Sequence, residues 1–276
     1  MSLNNKASEQ EATFWWHLEK LRWVLLRTLA VVGLLMVIFF SNKNFLFNKI
    51  ILAPLNSDFY VYRWFNDIAK LLNFNDLTID NFHVQLININ LAGQFMAHLS
   101  ISFAFALIVS VPYLLFEIWR FIFPALYPHE RKNIELIFFF SSFLFYLGAI
   151  VSYLIIFPLT IRFLGTYQVS SLVPNQIALS SYISALYILV FSMGLTFEMP
   201  VLSYFLSRLG IISRQTLKKG RGIALIVILI AAAVITPTTD PFTMMVVAIP
   251  LYLLYEVSIL VCKKDTAHKK IVSDTN

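Results

Sequence analysis

Apolar residues gather along this chain into six stretches, residues 24–40, 93–116, 134–157, 183–206, 223–235 and 242–261, with polar segments between them. A helix needs about 20 apolar residues to cross a hydrocarbon layer roughly 30 Å thick. The first four stretches meet or approach that length. The fifth spans only residues 223–235, about 20 Å at 1.5 Å per residue. The sixth contains Pro250 and has Glu256 near its end. Short neighbouring spans must tilt little, thin the bilayer or lean on other helices. The pattern predicts an all-α polytopic membrane protein with six transmembrane helices, the last two short. Residues 1–262 are expected to form one membrane domain and residues 263–276 a short cytoplasmic tail.

Composition supports that class. The chain is 59% hydrophobic and 13% charged, more apolar surface than a soluble core of this length requires. The net charge of +6 does not read as a nucleic-acid signal, because the basic residues sort by loop rather than onto one face. Sixteen of the 21 Lys and Arg residues fall in the N-terminal segment, the second–third loop, the fourth–fifth loop and the C-terminal tail. Lys43, Lys49, Arg63, Lys70 and Arg162 make up the other side. Positive charge marks the cytoplasmic side, so both termini are expected there, a parity that six spans satisfy. No small-x-small cleavage site follows the first apolar run, which reads as a retained span rather than a cleaved signal. The single Cys262 excludes an internal disulfide.

Between the spans, residues 1–22 read as an amphipathic approach, with Phe14, Trp15, Leu18 and Leu21 at helical spacing. Residues 41–92 form the longest external segment, with a helical stretch over 59–72 expected to lie on the membrane surface. Residues 159–180 form a second external segment. Thr236–Pro241 is a tight hairpin with two prolines. No internal repeat of the kind found in inverted-repeat transporters is visible.

Few residues carry chemistry. Glu198 lies ten residues before Arg208, about 15 Å inside the cytoplasmic helix end. A carboxylate at that depth is costly unless protonated, paired or hydrated, and is by default a functional candidate. A protonated Glu bonded to a neighbouring span is the structural reading. Glu117 and Arg120 stand at i,i+3, a spacing that allows a local ion pair. Glu130 follows the apolar loop 121–127 and is the lone carboxylate of a cytoplasmic loop suited to docking something partly hydrophobic and cationic. The five histidines are scattered, with no zinc motif, phosphate loop or nucleophile elbow. No metal, cofactor or enzymatic activity is expected. One alternative is a proton-coupled secondary transporter using Glu198, which would need several convergent intramembrane polar groups.

Several segments, in order, resemble the TatC family, the core subunit of the bacterial twin-arginine (Tat) protein translocase. They are His17-Leu18-Glu19-Lys20-Leu21-Arg22, Phe121 through Arg131, Phe157-Pro158, Phe197-Glu198-Met199-Pro200, Thr236-Pro237 with Asp240, and Ala248-Ile249-Pro250 followed by Leu254-Tyr255-Glu256. The resemblance implies a concave, glove-like six-helix bundle in the bacterial inner membrane and no catalysis. It implies binding of signal peptides bearing paired arginines, assembly with the single-span subunits TatA and TatB and with further TatC copies, and transport of folded cargo driven by the proton-motive force. The signal-peptide surface would comprise His17, Leu18, Glu19, Leu21, Arg22, Phe121, Pro124, Leu126, Tyr127, Glu130 and Arg131. Pro54, Thr236, Pro237 and Asp240 would be partner-docking or structural-turn positions. Guanidinium forks pair bidentately with carboxylates, which ammonium cannot copy, so an acidic, partly apolar surface suits an Arg-Arg peptide. Where family members commonly carry a second acid this chain has Lys20, which leaves Glu130 with Glu19 as helper. Met244 stands where a glutamine is usual.

Overall fold

The computed structural model describes residues 2–56, 59–71, 85–122, 134–170, 172, 175–238 and 240–263. The architecture is overwhelmingly helical. Helix α1 (Ser2–Ser41) runs without a break through the amphipathic approach and the first apolar stretch. A π-helical turn, Phe45–Ile51, and a 3-10 turn, Ala53–Leu55, lead to α2 (Tyr60–Leu71). Strand β1 (Gln85–Ile87) precedes α3 (Gly93–Ile122) and α4 (Ile134–Val151). A second π-turn, Ser152–Ile156, continues α4 into α5 (Phe157–Thr166). Strand β2 (Gln176–Ala178) introduces α6 (Leu179–Phe197) and α7 (Met199–Arg208). The chain then forms α8 (Arg214–Lys219), α9 (Arg221–Ile235) and α10 (Pro241–Val261).

Five helical stretches are long and apolar enough to cross a membrane: Leu18–Ser41, Gly93–Phe121, Leu136–Thr166, Leu179–Arg208 and Pro241–Val261. The sixth, α9, has 15 residues, about 22 Å of helix. The last two spans are therefore the two shortest, as the pattern predicts. At 21 residues, α10 still reaches about 31 Å, so the shortfall against a bilayer belongs to α9 alone.

Three interruptions in the helices have a proline just after them. Proline lacks the amide hydrogen that would bond four residues back, and its ring clashes with that carbonyl. Both π-turns end just before one, Pro54 and Pro158, and the α6–α7 junction at Glu198 precedes Pro200. The first interruption frees carbonyls that three tyrosines satisfy. Tyr153 Oη donates to Ile50 O at 2.6 Å, Tyr182 Oη to Ile51 O at 2.6 Å, and Tyr62 Oη to Pro54 O at 2.9 Å. Burial of Tyr62 pushes its phenol well above the ordinary range, so its hydroxyl stays a protonated donor.

The packing divides the molecule into two compact units, residues 1–43 with 98–142, and residues 44–97 with 143–276. In the first, Phe40 stacks on His98 with ring centres 4.1 Å apart, and Phe39 meets Phe105 edge-on at 6.0 Å. In the second, α4 and α6 approach through reciprocal glycine–phenylalanine contacts. A methyl group added to Gly194 would lie 2.7 Å from the Phe145 ring, and one added to Gly148 would lie 2.6 Å from Phe197. Small residues that let helices close in are the usual substitute for hydrophobic driving force within lipid.

One element has no precursor in the hydrophobic pattern. Strands β1 and β2 pair in parallel, Gln85 opposite Gln176 and Ile87 opposite Ala178. Three residues each are too few for an alternation to be read.

Candidate functional site

Three places hold the residues singled out by sequence. The first is the start of α1 with the end of α3. His17 lies on α1, and Leu18, Glu19, Leu21 and Arg22 are exposed there. Phe121 is half-buried in the last turn of α3. Pro124, Leu126, Tyr127, Glu130 and Arg131 lie outside the described residues. The described part of the expected peptide surface is thus its N-terminal half, two exposed leucines interleaved with an acid and a base on one helix.

Close to that end, Glu117 is buried at 3% exposure. Its Oε1 accepts from Tyr113 Oη at 3.0 Å and faces Arg27 Nη1 of α1 at 3.7 Å. The ion pair of Glu117 among the described residues is with Arg27, not with Arg120, the local partner that i,i+3 spacing allows. Arg120 is exposed in the last turn of α3. A buried carboxylate needs its charge met inside, and Arg27 with Tyr113 meets it. Sequence reading missed Arg27 and Tyr113. The i−4 position of Tyr113 was a readable signal; the reach from α1 was not.

The second place is Glu198, buried at 7% exposure. It closes α6 and opens α7, its N–H donating to Leu195 O at 3.1 Å and its carbonyl accepting from Leu202 N–H at 2.9 Å. The partial positive charge of the amide end of α7 favours an anion at this position. Pro200 is tolerated because it falls in the first turn, where its missing N–H would have had no partner. Ten residues of α7 separate Glu198 from the helix end at Arg208, matching the depth read from sequence.

The third place is the turn between α9 and α10. Asp240 caps α10: Thr243 N–H donates to its Oδ1 at 2.8 Å, and the hydroxyls of Thr238 and Thr243 both donate to Oδ2. Partial burial pushes the Asp240 carboxyl up, but the bonds from Thr238 and Thr243 outweigh it and hold the group below its ordinary value. Thr236 is buried, its N–H bonded to Ala232 O at 2.9 Å, while Pro237 is exposed. Met244 is half-buried in the first turn of α10. Pro54 is buried within the tyrosine-held turn described above.

Comparison with known proteins covers nearly the whole chain. The family model described as "Sec-independent protein translocase protein (TatC)" matches residues 16–250. A Sec-independent protein translocase protein TatC from Blattabacterium sp. subsp. Periplaneta americana is 37% identical over 258 residues, 93% of this chain and 97% of that protein. The TatCy protein of Bacillus subtilis is 33% identical over 90% of this chain and 87% of its own length. Among solved structures, a twin arginine translocase receptor TatC in DDM superposes with a TM-score of 0.71 at 30% identity, covering 90% of this chain and 99% of that one. A second crystal structure of the TatC receptor gives 0.65 at 29% identity, covering 89% and 97%.

Proposed function

Since the chain belongs to the TatC family of Sec-independent protein translocase proteins, we propose that it serves as signal-peptide receptor and core component of a twin-arginine translocase, with the following residues and partners. The family is one of multi-pass membrane transport proteins and not of enzymes. Both termini face the cytoplasm, the side to which sixteen of the 21 basic residues sort. The twin-arginine motif docks against α1 at His17, Leu18, Glu19, Leu21 and Arg22, and against Phe121, Pro124, Leu126, Tyr127, Glu130 and Arg131. Glu130 takes one guanidinium, with Glu19 as helper. Single-span TatA and TatB subunits and further TatC copies complete the translocase, and Pro54, Thr236, Pro237 and Asp240 shape their docking or hold the turns.

The observation that carries the peptide assignment is the exposure of Leu18, Glu19, Leu21 and Arg22 together on one helix. A charge-assisted hydrogen bond is worth about 1.5–3 kcal/mol. Glu130→Gln should therefore weaken crosslinking of an Arg-Arg signal peptide about tenfold or more, and a Lys-Lys peptide should bind poorly to either form. Equal capture of the two peptides by the unaltered protein would refute the receptor surface. Equal capture of the Arg-Arg peptide by Glu130→Gln would remove Glu130 alone.

A further inference from the structure

We infer that the corner where α7 and α10 end and α8 begins is a binding site for the headgroup of an anionic phospholipid. Three backbone and side-chain bonds draw these ends together. Lys263 N–H donates to Ser207 Oγ at 3.0 Å, Arg214 N–H to Lys263 O at 3.4 Å, and Cys262 Sγ–H to Ser203 O at 3.4 Å. Arg208, Arg214 and Lys263 thereby converge on one corner. Lys218 and Lys219 stand exposed on α8 beside it.

Among the described residues no carboxylate answers this charge. Helices α7, α8 and α9 contain neither Asp nor Glu. The acid that α10 brings to this end, Glu256, is taken by Arg221 at 2.7 Å. Arg208 is steadied by Tyr204, whose hydroxyl accepts from its Nε at 3.1 Å, and among the described residues its two terminal nitrogens remain for a ligand. At Arg214 the Nε is shielded from solvent and has no acceptor among the described residues. A shielded guanidinium N–H normally has an acceptor, and phosphate oxygens match its geometry.

The surroundings choose a lipid over a free anion. Leu202, Leu209 and Ile211 are exposed at 55%, 41% and 66% on α7 and the turn after it, and Leu260 and Val261 at 65% and 42% on α10. Apolar surface thus runs directly up to the basic corner, as an acyl chain below a headgroup requires. Charge sorting during membrane insertion accounts for the number of basic residues in this loop. It does not account for their convergence or for the shielded Nε of Arg214. Basic pockets between helix ends on the cytoplasmic side are a recognised way of holding anionic headgroups.

The test uses the full chain in a neutral detergent, titrated with phosphatidylglycerol or phosphatidylcholine, with bound lipid counted by native mass spectrometry. Phosphatidylglycerol should be retained preferentially, and Arg214→Gln or Lys218→Gln should each weaken it about fivefold while leaving phosphatidylcholine unchanged. Lys218 is exposed, so its variant reads the charge without disturbing the fold. Lys49→Gln, on the turn Phe45–Ile51, should have no effect. Equal retention of both lipids, or a loss in Lys49→Gln as large as in Arg214→Gln, would overturn the assignment. So would full displacement of the lipid by millimolar inorganic phosphate or by a polyglutamate peptide, which would mark a phosphate or protein site instead.

Discussion

Glu117 and Glu198 are both carboxylates buried on apolar helices, at 3% and 7% exposure, but they are held by different means. Glu117 is tied across to another helix, through Arg27 of α1, and to Tyr113 one turn back on its own. Glu198 sits where one helix ends and the next begins, with the amide end of α7 behind it. The first arrangement is a cross-link: it fixes α1 against α3, and any change to it is felt as stability. The second places a carboxyl group at the joint between α6 and α7. A buried charge by itself does not mark a working site. What distinguishes the two is where each sits: Glu117 faces a second helix, and Glu198 stands at the junction of two consecutive ones.

That contrast can be broken by experiment, beginning with the largest effect. In Glu198→Ala, transport of folded cargo should fall about tenfold or more, the loss expected for a charged hydrogen-bonding group. Arg-Arg peptide binding, which we propose for the α1 segment and the loop after α3, should stay within twofold. Glu198→Gln retains most of the transport if hydrogen bonding is the role, and little if a proton is exchanged. Full transport in Glu198→Ala would make the joint a structural device like the cross-link.

Next is the cross-link itself. Arg27 is half-exposed, which weakens the pair through solvent screening, so Arg27→Ala should cost about 1–2 kcal/mol of stability in detergent, chiefly by stranding the buried carboxylate. Glu117→Gln keeps an acceptor for Tyr113 and should cost less. A double-mutant cycle should show coupling above about 0.5 kcal/mol; strict additivity would mean that the 3.7 Å approach carries no energy.

Asp240 gives a third carboxylate for calibration, half-exposed and devoted to capping. Losing the cap in Asp240→Ala should cost about 1 kcal/mol. Because folding lowers its pKa, its ionised form stabilises the fold fully above the ordinary Asp value of about 3.9. That contribution is lost as pH falls through the depressed folded value. Acid unfolding curves of Asp240→Asn should therefore be flatter below about pH 4 than those of the unaltered protein. Smallest of all, Arg120→Gln should change stability by less than about 0.5 kcal/mol, since its side chain is exposed and the partner that spacing offers is engaged with Arg27. A larger loss would restore the local pair.

Sequence disclosed the parts that depend on summed composition. Six apolar runs announce six spans, and the shortness of the fifth is visible by counting. The length of helix between Glu198 and Arg208 follows from counting, whereas the junction at Glu198 was not expected within the stretch 183–206. What escaped depends on which faces meet. Nothing in the spacing of Glu117 says that Arg27, ninety residues earlier in the chain, is its neighbour while Arg120 is not. The glycine–phenylalanine interlocks of Gly148 with Phe197 and Gly194 with Phe145 look in sequence like ordinary residues of apolar helices. The β1–β2 pair is invisible for a related reason, since three-residue strands gain their order from each other. The cap at Asp240 lay between these cases: the hairpin was expected, and the threonines that complete it were present in the sequence without a sign that both would turn inward.

The tyrosine-held turn also imposes an order of assembly. Ile50 and Ile51 belong to the turn that follows the first span, yet the hydroxyls that occupy their carbonyls arrive 103 and 131 residues later, on Tyr153 and Tyr182. A chain still emerging from the ribosome can insert its first span long before those donors exist. Until the third and fourth spans are in place, the segment from Phe45 to Leu55 has carbonyls that only water can serve. It should stay at the wet interface, open to amide exchange, and then close in one step when Tyr182 docks. Chains truncated just before and just after residue 182, inserted in vesicles and compared by hydrogen exchange at residues 45–55, would show that step as a jump in protection. A smooth rise with chain length would mean that the turn matures without its late partners.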